Sequence, residues 1–229
     1  MSAIRLVPLA FLLPSAAFAG VTVDTEVDPK AHRHSVLTGV SMEASPRLGL
    51  GYAFQDTLGT DRPVDFSATV AWHTPMFLIG ASDHHGATVG FRASPFQGPW
   101  SADVGLEADW QQFDNGVSTG NAITTALSVY PTWRPGRAFV GARVGLRQNL
   151  LNHMVFDDNY AADVPTVGDG WYKGTATWLD ATLRGGVRVG ERVGLEADVG
   201  VRKPLGTEIL DPFYIPWVAG LRVNVGVGS

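Results

Sequence analysis

The residues best suited to chemistry are the six histidines and the carboxylates near them. Asp83-His84-His85 sets an acid beside two imidazoles, and His153 and Asp157 lie four apart. A carboxylate that orients an imidazole makes a general base, so these residues outline a hydrolase. Asp83 and Gly86 are equally ordinary turn formers, and a polar tight turn accounts for them without chemistry. His32 and His34 share one face of a strand but bring no third metal ligand. The stretch 149–171 carries Asp157, Asp158, Asp163 and Asp169 with no Lys or Arg, in a spacing unlike a calcium loop. Its aromatics, Phe156, Tyr160, Trp171 and Tyr172, suit a lid folded back over whatever lies beneath. Phosphate-cradling glycine motifs, nucleophile elbows and cofactor fingerprints are absent, so no cofactor and no metal is expected.

The elements that must carry these residues begin after an export signal. Residues 1–19 show one early positive charge, Arg5, then an apolar centre and the exit Ala17-Phe18-Ala19. That is the pattern of a secretory signal peptide cleaved after Ala19. Pro8 and Pro14 interrupt the apolar run, which is short for a membrane-spanning helix. Residues 20–229 then form one domain, whose net charge moves from −5 to −6 on losing Arg5. Mild acidity argues against a nucleic-acid partner, and the absence of cysteine excludes disulfides and thiolate chemistry. No apolar run in residues 20–229 approaches the roughly 18 residues of a spanning helix, whereas barrel strands need only half their residues apolar.

Alternation dominates the chain. In 100–110, Ala102, Val104, Leu106 and Ala108 share a face with Trp100 and Trp110, opposite Asp103, Glu107 and Asp109. The same period of two runs through 193–201 and 215–227, and it marks strands with one greasy face. Further strands are read at 21–28, 34–42, 47–55, 64–73, 75–83, 87–94, 122–132, 137–148 and 172–189. The count is then twelve, or ten if 21–28 and 75–83 drop out; both are even, as such barrels require. In the twelve-strand reading, short turns (44–46, 73–75, 94–99, 133–136, 190–192) alternate with longer polar links (56–63, 113–121, 149–171, 203–213). Short turns at one rim and long loops at the other is the layout of a transmembrane β-barrel. The predicted fold is all-β, a closed antiparallel up-and-down barrel.

Trp100 and Trp110 would stand about 25 Å apart along a tilted barrel axis, the height of an apolar membrane band. Aromatics at the two band edges are read as a lipid-facing girdle. Tyr130 and Trp133 belong to the periplasmic rim in that reading, and Phe213, Tyr214 and Trp217 to the outer one. The opposite face carries charges of both signs: Asp103, Glu107 and Asp109; Arg143 and Arg147; Asp180, Arg184 and Arg188; Glu196, Asp198 and Arg202; then Arg222. A charge in a narrow lumen is costly unless paired, so these residues are expected to form a paired network that fills the interior. Closure of the barrel is expected to bring Arg222 to Asp24 and Glu26. Inward glycines such as Gly105, Gly145 and Gly194 would leave volume for the arginines. The hexapeptide Val-Gly-Leu-Glu-Ala-Asp occurs at both 104–109 and 193–198, one strand solution used twice.

The signal peptide, the alternating segments 100–110, 137–147 and 193–202, and the strand 215–227 resemble the bacterial outer-membrane β-barrel proteins. That family often ends on an aromatic residue, where this sequence reads Val225-Gly226-Val227-Gly228-Ser229. The resemblance implies residence in the outer membrane, with lipid and the barrel insertion machinery as partners. The expected function is non-enzymatic: a structural or surface-contact role, with weak passive permeation of small solutes through a charged lumen. Two alternatives stand beside it. One is an outer-membrane hydrolase using Asp83, His84 or His85 with His153 and Asp157, though it lacks the His-x-Ser spacing of outer-membrane acyl hydrolases. The other is a soluble exported barrel that carries a lipophilic ligand.

Overall fold

The computed structural model describes residues 33–42, 46–61, 63–76, 85–96, 98–114, 118–158, 168–174, 176–205 and 217–227. Val, Ile, Leu and aromatic residues alternate with Gly, Ser, Thr and charged ones, and the chain forms strands throughout. These are β1 (His34–Met42), β2 (Pro46–Leu58), β3 (Val64–Pro75), β4 (Gly86–Ser94), β5 (Trp100–Asp114), β6 (Ser118–Trp133), β7 (Ala138–Phe156), β8 (Gly170–Lys173), β9 (Thr177–Val189), β10 (Val193–Pro204) and β11 (Trp217–Val227).

All pairings are antiparallel and follow chain order, and β1 closes the sheet on β11 from His34–Val227 to Met42–Ala219. Closure leaves no edge on the other strands to aggregate or to be satisfied by lipid; among the described residues β8 alone is paired on one side only. β8 and β9 together fill one position beside β7, β8 pairing with 151–154 and β9 with 138–148. Between them the ladder continues through Gly174 N to Leu150 O and Asn149 N to Ala176 O, both 2.9 Å.

The barrel therefore has ten strands, the lower of the two counts read from the sequence. Segment 21–28 lies outside the described residues, as does most of 75–83. Among the described residues the wall is continuous without them, β3 pairing directly with β4 and β1 with β11. Losing one strand before 34 and one after 73 inverts the direction of everything between. Link 43–45 thus joins the rim that holds 76–85, 115–117, 157–169 and 205–216, called here the long-link rim. Link 59–63 joins the short links 95–99, 134–137 and 190–192 at the other rim. Gly59, Gly136 and Gly190 take positive φ there (85°, 68° and 70°), which tight reversals require and side chains resist. Both ends of the barrel wall, His34 and Val227, lie at this short-link rim.

The faces sort as the alternation implies. Leu106, Val199 and Leu221 point outward at 56 %, 57 % and 60 % exposure, while Glu107 and Arg143 inside keep 3 % and 5 %. β7 is longer than expected, because a bulge interrupts its alternation. Register against β6 shifts between Ile123 and Thr124, so two β7 residues oppose one. Asn149 and Asn152, three apart, are both buried as a result. Part of the expected acidic loop 149–171 is thus strand, and the link itself is 157–169.

Candidate functional site

The site is the barrel interior. β5 supplies Asp103, Glu107 and Asp109, three carboxylates two or four residues apart and so on one face. Its neighbour β6 presents small residues at the same height: Ala126 stands beside Glu107, and Thr124 beside Asp109. Arginines from the next strand, β7, reach across this low ground. Arg143 Nη2 donates to Glu107 at 3.0 Å. Arg147, with no exposed surface, pairs with Asp109 and lies 3.5 Å from both Glu107 and Asp180. Thr88 donates to Asp109 at 2.6 Å from the other side. Arg202 of β10 holds Asp180 of β9 at 2.6 Å.

A second centre repeats this chemistry. Glu196 of β10 takes Arg184 of β9 at 2.9 Å and Arg222 of β11 at 3.0 Å. Arg222 also pairs with Asp198. Asp24 and Glu26 lie outside the described residues, and β1, which stands next to β11, carries no acid, so Arg222 turns to β10 instead. Arg188 sits part-buried near the end of β9 at the short-link rim. Each carboxylate named here has at least one guanidinium, which is how charge persists in so narrow a space.

Tyr130 corrects the girdle assignment. It is 1 % exposed and lies inside the barrel, where its hydroxyl donates to Glu107 at 3.0 Å. Tyr130 and Trp133 are three residues apart, and a strand cannot put both on one face. Trp133 is outside, stacked on Trp100 at 5.9 Å at the short-link rim. Trp110 packs at a tilt against Trp72 at 6.0 Å toward the other end, and Trp217 is exposed at the start of β11. Tyr214 and Phe213 lie outside the described residues.

Sequence reasoning missed several interior groups. Arg92 pairs with Asp103 and lies 4.3 Å above the Tyr130 ring centre. Arg47, His73, Phe139 and Trp178 are also fully buried. Parity was the available signal: Val89 and Phe91 face out, which obliges Arg92 to face in.

Of the hydrolase reading, the described His85 and His153 are not brought together. Asp83 and His84 lie outside the described residues. His85 stacks on Trp72 at 6.2 Å and His153 packs on Trp171 at 4.9 Å, on β-elements separated by β5 and β6. His34 stands at the short-link rim beside Tyr52. Among the described residues no three His, Asp or Glu side chains converge as a metal site. Trp171 is 63 % exposed and faces away from the mouth, so it forms no part of a lid.

No family model and no curated protein matches the chain. Among solved structures, the outer membrane protein Omp33 of Acinetobacter baumannii matches 86 % of this chain and 98 % of its own, at 7 % identity and a TM-score of 0.35. The KdgM porin matches 85 % of this chain and 99 % of its own at 10 % identity, with a TM-score of 0.34. The KdgM porin in complex with disordered oligogalacturonate gives 11 % identity and a TM-score of 0.35 over the same shares. Likeness at this level decides neither solute nor activity. The distribution of side chains is apolar without and ionic within, on a closed antiparallel β-barrel.

Proposed function

We propose that the protein is an integral outer-membrane barrel with a structural or surface-contact role and an interior closed to all but weak passage of small solutes. One observation carries this: Arg147, Glu107, Asp109 and Asp180 bury their charges against one another at the barrel centre, while the outer wall exposes aliphatic side chains. Ten strands lie close to the eight at which side chains fill a barrel, and far from the sixteen or more of open porins. Short links and both wall ends belong at the periplasmic rim, and the long links at the cell surface. Export follows from residues 1–19, and the partners are membrane lipid and the insertion machinery. A soluble carrier of lipophilic ligands needs an apolar interior and a polar outside, whereas here arginine–carboxylate pairs run through the interior and aliphatic side chains stand outside.

Fractionation and gel mobility test the reading. The protein should sediment with membranes and migrate differently before and after boiling. In planar bilayers it should show conductance far below that of an open porin. Recovery in the aqueous fraction without a heat shift would overturn the membrane assignment. Large steady conductance would overturn the closed interior.

A further inference from the structure

The outer face of the barrel is nearly free of charge. Among the described strand residues that point outward, it carries Asp56, Asp114, Lys173 and Lys203. Asp56 is tied to Arg33 at 3.3 Å at the short-link rim, and Asp114 ends β5 at the other. Lys173 and Lys203 are exposed, and both stand at the long-link rim, on β8 and near the end of β10. Their strands lie side by side. β9 continues the position of β8 and pairs Leu179 with both Lys203 and Leu146, while Lys173 stands opposite Leu151 on β7. Spacing along the ladder puts the two lysine Cα atoms about 15 Å apart, within reach of a single lipid headgroup once both side chains extend.

Among the described residues no carboxylate answers these charges from the outer faces of β7 to β11. Asp169, four residues before Lys173, accepts instead from Phe156 N at 2.9 Å. The wall toward mid-height is aliphatic, with Leu183, Val199 and Val201 exposed. Beside Lys173, Trp171 is exposed and meets the His153 ring edge-on at 4.9 Å. An apolar wall bordered by a cation and an aromatic ring suits the edge of a bilayer, with acyl chains on one side and headgroups on the other. The opposite sector of the same rim, along β1 to β5, offers Met42, Met76, Trp72 and Trp110 and ends on Asp114, with no outward cation among the described residues. Because the lysines face outward, what they bind arrives from the bilayer and not through the lumen.

We infer that the β8–β10 sector of the long-link rim binds a phosphorylated lipid of the outer leaflet. Its phosphates lie against Lys173 and Lys203, and its acyl chains lie on the aliphatic wall beneath. The inference rests on the membrane reading above and on the long links lying at the cell surface. Lysine suits the task, because it meets phosphate as a compact point charge on a stem that can lie along apolar surface. Charge complementarity is confined to this sector, so the lipid sits here and does not ring the barrel.

The experiment is native mass spectrometry of the detergent-solubilised barrel, which counts bound lipid per protein. The probes are lipid A, dephosphorylated lipid A, and inorganic phosphate as competitor at constant ionic strength. Wild type should bind lipid A at lower concentration than the dephosphorylated form. Lys173→Gln and Lys203→Gln, each first shown to keep the heat shift, should each raise the half-saturating concentration about fivefold. Lys173→Arg should bind as wild type does. Arg137→Gln, which removes an exposed cation at the short-link rim, should change nothing. Equal binding of the two lipid forms overturns the phosphate assignment, and a Lys173→Gln, Lys203→Gln double variant that binds as wild type overturns the site. Displacement by inorganic phosphate alone marks a free-anion site and overturns the lipid assignment. A double variant altered in oligomeric state but not in lipid binding overturns it in favour of a protein contact. Recovery of wild type in the aqueous fraction without a heat shift would instead be the failure of the membrane reading.

Discussion

Glu107 and Asp109 stand two apart on β5 and share Arg147; Glu196 and Asp198 stand two apart on β10 and share Arg222. The repeated hexapeptide is thus one residue-scale device, a pair of carboxylates on one strand face closing on a guanidinium. Its stability comes from completeness, since a buried charge deprived of its partner keeps the full desolvation cost. Arg147→Ala takes from Asp109 its guanidinium and leaves Glu107 and Asp180 to Arg143 and Arg202 alone, and a loss of about 3–5 kcal/mol is expected in urea unfolding of the barrel in vesicles. Arg147→Lys should recover part of it, having charge without the planar fork. The pairing was legible in the sequence as alternating signs on one face. Partner choice was not: Arg147 reaches β5 because Ala126 and Thr124 on the intervening strand are small, a relation that exists only across the ladder.

At the scale of elements, the bulge in β7 explains where sequence reading lost the strand. Asn149-Leu150-Leu151-Asn152 breaks the period of two, so the expected strand ends at 148 although the hydrogen-bonded ladder runs to Phe156. Beyond the bulge β7 is backed by β8, whose pairing is confined to 151–154. Barrel closure runs through β9 and does not use β8, so 159–167 should be replaceable by a short polar linker with the heat shift retained. A lost heat shift would show that this link takes part in folding the wall. Glycine contributes at this scale too. Gly145 lies against Ser128 and Gly186 beneath the Phe139 ring, at separations no Cβ would allow, and so large inward groups fit without spreading the strands.

The molecule as a whole is an inverted globule, and its surface is the part that lipid must accept. Leu106 stands near mid-height on the outer wall, so Leu106→Arg should cost about 2–4 kcal/mol in folding into vesicles, and an equal charge at exposed Trp171 close to nothing. Equal penalties at the two positions would mean that the apolar wall does not face lipid. How much of this the sequence determined by itself can be stated residue by residue. Alternation in 100–110, 193–201 and 217–227 fixed which side chains oppose which, because successive residues of any strand must point to opposite faces. It left open which face is the inside, and the sign of that choice came from charge: arginines and carboxylates of both signs can neutralise one another only where they converge. Tertiary structure alone decided the number of strands, the rim to which each link belongs and the inward place of Tyr130. Those depend on which edge finds which partner, and the pairing of β1 with β11 joins residues that no local pattern relates.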